Sequence, residues 1–320
     1  MTMEQTVVMT GASRGIGRTA ARRLLAGRPQ AHLVLLSRTV PQALVDELRA
    51  AGGSVTVIRA DLSSLRSVSE AADEVVELVH PGRLPPIGAL VCNAGVQLTN
   101  ALTETVDGFE ATFAVNVLAN HVLLRRLQGH LPPSARVVVT VSDTHFGDLR
   151  HNLGMVPGPQ WHPVETLARA AAFPDPSGST AGRAAYSTSK LAAIYLVHEY
   201  ARRLPTGLTV TSFHPGVVPG TDLARDADAI SRFAMRRVMP LLTLTPLATS
   251  PSLAGRFLAD AVLGTVSAPT GAYIDRDRVA ASSPASYDRQ REREAWEAVE
   301  ALTARFLPSA ADPNPGRKNR

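Results

Sequence analysis

At 320 residues, 45% hydrophobic and 19% charged, the chain has the composition of one large α/β domain or two small ones, which excludes disordered and fibrous classes. Its formal charge of +5 takes three units from Arg317, Lys318 and Arg320, and no segment interleaves aromatics with a basic patch, so nucleic acid is not an expected partner. A lone cysteine, Cys92, excludes an internal disulfide and argues against a zinc cluster, and no run approaches the ~20 apolar residues of a membrane span; a soluble, cytoplasmic protein is expected.

Thr6 to Thr10 is a short apolar strand that leads into Gly11-Ala12-Ser13-Arg14-Gly15-Ile16-Gly17 and a helix to about Ala26. A glycine turn between strand and helix lets the backbone approach a phosphate, which the free amides and dipole of the helix N-terminus favour. The spacing is Gly-x-x-x-Gly-x-Gly, which an ordinary tight turn could also carry; its place after the first strand favours the phosphate cradle. His32 to Ser37 is the second strand, followed by Arg38. A carboxylate at this strand end would accept from the ribose hydroxyls of NAD. Arg38, with Arg14 in the glycine turn, instead suits the 2′-phosphate of NADP(H).

Val55 to Ala60 is the third strand, closed by Asp61-Leu62. Asp61 either accepts from an adenine amino group or caps the amphipathic helix Leu65 to Val79. Pro81 to Pro86 is a loop. Ala89 to Cys92, the fourth strand, leaves Asn93-Ala94-Gly95 at its carboxyl end, the edge where open parallel sheets bind ligands. Asp107 to Leu127 reads as a long helix containing Asn116, a mediocre helix former whose side chain serves either a site or ordinary polar filling.

Arg136 to Val141, the fifth strand, precedes Ser142-Asp143-Thr144-His145. The 43 residues from 143 to 185 are rich in proline, glycine and small side chains. So long a connection inside a compact domain predicts a functional lid. His145, His151 and His162 are spaced too irregularly for a metal site, and none is assigned.

Tyr186 to Arg203 reads as a helix opening on Tyr186-Ser187-Thr188-Ser189-Lys190. Tyr186 and Lys190 lie on one face, a turn apart. An ammonium there would lower the phenol from its usual pKa of about 10 and let it exchange a proton near neutral pH. Lys190 and Lys318 are the only lysines; arginine fills the other basic positions, and its charge cannot be tuned. Leu208 to Phe213 is the sixth strand, ending in His214-Pro215-Gly216-Val217-Val218-Pro219-Gly220-Thr221. Residues 222–250 are apolar and irregular, expected to cover a greasy substrate, with a dimer contact or plain packing as alternatives. Gly271 to Asp275 looks like a last strand, Ser286 to Phe306 a charged amphipathic helix, and 308–320 a disordered basic tail. Strand and helix alternate, which predicts an α/β, single-domain Rossmann fold over 1–307. Its doubly wound parallel sheet has about seven strands flanked by helices, with a long insertion before Tyr186.

Thr10-Gly11 through Gly17, Asn93-Ala94-Gly95, Asn116, Ser142, Tyr186 with Lys190, and Pro215-Gly216 stand in the order found in the short-chain dehydrogenase/reductase superfamily. The chain resembles that family over nearly its whole length. Leu90 to Ala94, Asp107 to Glu110, Thr221, Gly271-Ala272-Tyr273, Trp296-Glu297 and the long insertion make it similar to the branch of retinol dehydrogenases and light-dependent protochlorophyllide reductases. A single cysteine and Val117-Leu118-Ala119-Asn120 depart from the photoenzymes, so a dark reductase is expected.

The resemblance implies that Ser142 and Tyr186 hydrogen-bond the substrate oxygen and that Tyr186 protonates it. Lys190 would lower the tyrosine pKa and grip the nicotinamide ribose, and Asn116 would hold a water that feeds protons to the lysine. Counting from Arg136 places the carbonyl-binding serine at Ser142; a slide of one place would put Asp143 there, which cannot donate while ionised. The resemblance assigns the dinucleotide to Gly11, Ser13, Arg14, Gly15, Ile16, Gly17, Arg38, Asp61, Leu62, Asn93, Ala94, Gly95, Tyr186, Lys190, Pro215, Gly216, Val218 and Thr221, the valine and threonine holding the carboxamide. The expected activity is NADPH-dependent hydride transfer to a carbonyl of a hydrophobic small molecule, of polyketide, terpenoid or retinoid type. Alcohol oxidation, reduction of a conjugated C=C bond and non-catalytic NADP binding are the alternatives. Monomer and homodimer both remain open.

Overall fold

Val7-Val8-Met9, Leu33 to Leu36 and Leu90-Val91 are apolar without alternation, the pattern of strands covered on both faces, and all of them are buried. The computed structural model describes residues 5–80, 82–152, 154, 156–218 and 248–308. Its strands are β1 (Thr6–Thr10), β2 (His32–Ser37), β3 (Ser54–Arg59), β4 (Ile87–Cys92), β5 (Arg136–Thr140), β6 (Thr209–His214), β7 (Tyr273–Asp275) and β8 (Arg278–Ala280). They form one sheet in the order β3-β2-β1-β4-β5-β6-β7-β8. Strands β1 to β7 run parallel. This is the doubly wound Rossmann arrangement, and its order reverses between β1 and β4. The sheet has one strand beyond the expected number: β8 pairs antiparallel to β7. Arg278-Val279-Ala280 is too short to show a period of two in the sequence.

The helices are α1 (Gly15–Gly27), α2 (Gln42–Ala50), α3 (Leu65–Val79), α4 (described next), α5 (Ser179–Arg203), α6 (Pro251–Leu263) and α7 (Arg289–Thr303). Helix α4 is composite: Ala111–Phe113 and Ala119–Leu127 are α-helical, and Ala114–Leu118 is a π turn. It starts after Asp107 because Glu110 caps it, accepting from the Thr112 and Phe113 amides at 3.0 and 2.6 Å. Helix α5 starts well before Tyr186, since Ala181, Ala184 and Ala185 extend it toward the N-terminus. The sequence does not mark α6, where Gly255 weakens the helical signal. It is begun by Ser250, whose hydroxyl accepts from the Leu253 amide at 3.2 Å, and by Pro251 in the first turn.

One face of the sheet packs α3, α4, α5 and α7 over Val8, Val34, Leu90 and Val137. The other packs α1, α2 and α6 over Val7, Met9, Leu33, Leu35 and Val91. Between β5 and α5 the chain makes a 3₁₀ turn at Asp143–Phe146 and single helical turns at Leu149–Asn152 and Val164–Leu167. Val164, Leu167 and Phe173 of this insertion are buried in the α5 side of the core. Trp161 meets Tyr195 of α5 edge-to-face, with ring centroids 4.8 Å apart. Residues 219–247, most of the stretch expected to cover substrate, lie outside the described residues, as does the tail from 309. Among the described residues no helix is long and apolar enough to cross a membrane, and no group of three or more His, Cys, Asp or Glu could hold a metal ion.

Candidate active site

Thr10 ends β1 with a hydroxyl that accepts from the amides of Asn93 and Ala94, each at 3.1 Å. The glycine turn is thereby tied to the end of β4. Gly11 (φ +71°) and Gly15 (φ +54°) take left-handed backbone that the turn requires. Gly17 has no room for a side chain: a Cβ there would lie 2.0 Å from the Gly11 carbonyl oxygen and 2.7 Å from Asn93 Nδ2. Asn93 Nδ2 donates to the Gly11 carbonyl at 3.2 Å, and Thr140 Oγ1 donates to Asn93 Oδ1 at 3.3 Å. The N-terminus of α1 is thus drawn against the crevice where the strand order reverses.

That helix end carries no side-chain cap and no acid in its first turn. A Cβ on Gly15 would meet nothing within 4 Å. A positively polarised helix end beside backbone bare of side chains fits the pyrophosphate of a dinucleotide. Ser13 and Arg14 are exposed here, Ile16 is half-buried, and Arg38 is exposed beyond the end of β2. Arg59 ends β3 as the register partner of Ser37 and is exposed on the same edge; nothing in the sequence singles it out.

Asp61 closes a local turn, its Oδ1 accepting from the Ser63 amide at 3.0 Å and the Ser63 hydroxyl at 2.7 Å. Ser64, not Asp61, caps α3 by accepting from the Ser67 amide at 3.3 Å. Leu62 packs half-buried against the core. Beyond β6 and Pro215, Gly216 adopts φ +86°, and a Cβ there would strike Thr249 Oγ1 at 2.1 Å. The Thr249 amide donates to the Val217 carbonyl at 2.8 Å, which clamps this segment to the residue before the α6 cap. Val218 is half-buried, and Thr221 lies outside the described residues.

The π turn of α4 places Asn116 under Gly95 and Val96, a use of the wider turn that recurs at functional sites. Its Oδ1 accepts from the Val96 amide at 2.9 Å, and its Nδ2 donates to the Val96 carbonyl at 2.9 Å and to Ser189 Oγ at 3.0 Å. Its backbone carbonyl accepts from Asn120 Nδ2 at 2.9 Å. Asn116 therefore pins the backbone next to Gly95. A Cβ on Gly95 would come 3.3 Å from Lys190 Nζ. Lys190 is 4% exposed and donates to the Thr140 carbonyl at 3.0 Å.

One turn before it, Tyr186 is buried, with Lys190 Nζ 5.5 Å from its ring centroid. The Ser142 side chain is the polar neighbour of its hydroxyl. Burial pushes the phenol up to about 12, and the neighbouring Ser142 pulls the other way. Burial also brings the Lys190 ammonium down to about 8. This corrects the expectation that Lys190 depresses the tyrosine: both groups share a poorly solvated site that disfavours their charged forms, and the ammonium points to Thr140. Asp143 is held elsewhere, accepting from the Tyr273 hydroxyl and lying 3.0 Å from His214 Nε2. Ser142 is the one of the two that meets the tyrosine. Thr140 and Thr249 join the site without a local signal, since their partners are distant in the chain.

The sequence model of the short chain dehydrogenase family matches residues 5–150. Protochlorophyllide reductase A from Hordeum vulgare is 31% identical, over 92% of this chain and 79% of its own length. This chain belongs to the short-chain dehydrogenase/reductase superfamily. It is an oxidoreductase of that NAD(P)-dependent family, and its likeness to protochlorophyllide reductases agrees with the branch its motifs indicate. A candidate daunorubicin C-13 ketoreductase from Streptomyces sp. (strain C5) is 36% identical, over 83% of this chain and 86% of that protein. Among solved structures, a short-chain dehydrogenase from Burkholderia cenocepacia in complex with NADP shares 26% identity at a TM-score of 0.60, covering 85% of this chain and 96% of that one. A dehydrogenase/reductase from Sinorhizobium meliloti 1021 shares 29% identity at a TM-score of 0.59, with coverage of 85% and 94%.

Proposed function

We propose that this short-chain dehydrogenase/reductase is an NADPH-dependent reductase that transfers hydride to a carbonyl of a hydrophobic small molecule, with Tyr186 as the proton donor. One observation carries the reading: the Ser142 side chain neighbours the buried Tyr186 hydroxyl, and the ammonium of Lys190, one helical turn on, lies 5.5 Å from the tyrosine ring, on the sheet edge that holds the glycine turn. The nicotinamide cofactor supplies the hydride when bound. Gly11, Gly15 and Gly17 would hold its pyrophosphate, Arg14 and Arg38 its 2′-phosphate, Lys190 the ribose, and Val218 with Thr221 the carboxamide.

Ser142 and Tyr186 donate to the substrate oxygen, and as charge grows there Tyr186 releases its proton to it. An alkoxide is a stronger base than this phenolate, so the transfer is downhill despite the raised phenol pKa. The nearby ammonium of Lys190 offsets the charge left on the ring. Donors aimed at a developing oxyanion contribute about 10²–10³-fold each, and a general acid about 10²–10⁴-fold. Support for NADP comes from the two arginines and the NADP complex of the Burkholderia relative. Support for a carbonyl comes from the ketoreductase relative. Reduction of a conjugated C=C bond is the second reading, favoured by the likeness to protochlorophyllide reductase; a product that keeps its alkene decides against it.

NADPH oxidation with acetophenone and 9,10-phenanthrenequinone tests the reading. Tyr186→Phe is expected to lower turnover about 10³-fold while NADPH affinity stays unchanged; unaltered turnover overturns the assignment. Arg38→Ala is expected to weaken NADPH roughly tenfold or more and NADH hardly at all, and equal loss for both removes the 2′-phosphate argument.

A further inference from the structure

We propose that His145 is a positioning residue for Ser142: its neutral imidazole holds the peptide from which the serine hydroxyl is presented to Tyr186. The proposal rests on the reading of Ser142 as a carbonyl-binding group. The His145 ring is 1% exposed and lies between two backbone groups from distant parts of the chain. Nδ1 is 2.6 Å from the Ser142 carbonyl oxygen. A carbonyl only accepts, so Nδ1 carries the proton. Nε2 is 3.0 Å from the Ser283 amide nitrogen. An amide N–H only donates, so Nε2 is bare. The two partners together select a single tautomer of the uncharged ring. Burial favours the same form, bringing the imidazole down to about 4 against the opposing pull of the Ser142 bond and Asp143. The rings of Phe146 and Tyr273 pack on it at centroid distances of 4.3 and 5.3 Å.

Ser142 is the last extended residue before the 3₁₀ turn, at φ −148° and ψ 146°. Other bonds in this turn are long: its carbonyl accepts from the His145 amide at 3.2 Å, and its Oγ from the Thr144 amide at 3.4 Å. The imidazole contact is the short one, so it sets the direction of the Ser142 carbonyl and, through that peptide, of the hydroxyl. Ser283 follows β8, so the end of the sheet also orients the serine.

Asparagine can place an amide N–H where Nδ1 lies but cannot reach the Ser283 amide, and glutamine does the reverse. Steady-state NADPH oxidation with 9,10-phenanthrenequinone, NADPH binding and Tm are measured for both variants. His145→Asn, which keeps the Ser142 bond and loses only the Ser283 one, is expected to lower kcat no more than roughly tenfold. His145→Gln is expected to lose kcat on the order of 10²-fold, the cost of about 1 Å of misplacement, at unchanged NADPH affinity. Ser283→Pro removes the amide N–H at a residue whose φ of −58° suits proline, and is expected to lower kcat roughly tenfold with the imidazole intact. Wild-type kcat in His145→Gln, or equal losses in Asn and Gln that follow Tm, overturns the proposal. Ser142→Ala separates the two levels: full turnover overturns the serine's role and the proposal with it. Loss in Ser142→Ala beside full activity in His145→Gln overturns the positioning alone.

Discussion

Lys190 is a buried ammonium whose hydrogen bond goes to the Thr140 carbonyl and whose pKa burial has lowered to about 8. An amine held below its unfolded pKa destabilises the fold while it is charged. That penalty is full below about pH 8, and it fades as pH rises from there toward the usual lysine value of 10.5. Lys190→Met is therefore expected to abolish turnover yet raise stability by roughly 1–2 kcal/mol at neutral pH, part of the gain being offset because Thr140 loses its donor. Thermal unfolding across pH 7 to 10 checks this: the gap in Tm between the two proteins should narrow as pH rises through about 8. A gap that is constant with pH would show that the ammonium carries no such cost. The residue's isolation among arginines is legible in the sequence; its burial and its partner are not.

Helix α5 presents Gly182, Tyr186 and Lys190 at intervals of one turn, so one face meets the loop after β4 along its length. At Gly182 a Cβ would lie 2.2 Å from the Leu98 carbonyl oxygen and 2.7 Å from the Asn100 amide nitrogen. The loop from Val96 to Asn100 thus rests on bare helix backbone, and Asn116 holds its other end at Val96. Gly182→Ala is expected to push this loop away from the Tyr186 side, costing roughly 1–3 kcal/mol by overpacking. Kinetics should show kcat/KM for the carbonyl falling about tenfold with NADPH affinity retained; a fall in NADPH affinity alone would place the loop outside the substrate site. The Tyr186–Lys190 spacing is readable as a helical face because it is local. Gly182 is not, since the atoms that forbid its side chain come from a separate segment.

At the scale of the molecule, α5 is buried on nearly every side between the sheet and α7. His198 Nδ1 lies 2.7 Å from Glu292, and Arg202 donates to the same carboxylate at 2.6 Å. Arg125 Nε donates to Glu300 at 2.6 Å, with His121 Nε2 2.9 Å from it. Trp296 packs edge-to-face on Tyr200 at 4.8 Å. Removing α7 would leave buried carboxylate partners and apolar rings uncovered together. A chain ending at residue 287 is expected to lose its cooperative thermal transition, followed by circular dichroism; a transition at the Tm of the full chain would make α7 an accessory to the fold.

Residue order by itself determined the parallel strands, the glycine turn, the bounds of α3 and the pairing of Tyr186 with Lys190. Periodicity and turn chemistry act within a few neighbouring residues, so they can be read without knowing what lies across the sheet. Only the tertiary structure decided that β8 closes the edge, that α6 follows Ser250, that Ser142 rather than Asp143 meets the tyrosine, and that the phenol is raised rather than lowered. Those outcomes depend on burial and on Tyr273, His214 and Thr249, partners far along the chain that no local pattern announces.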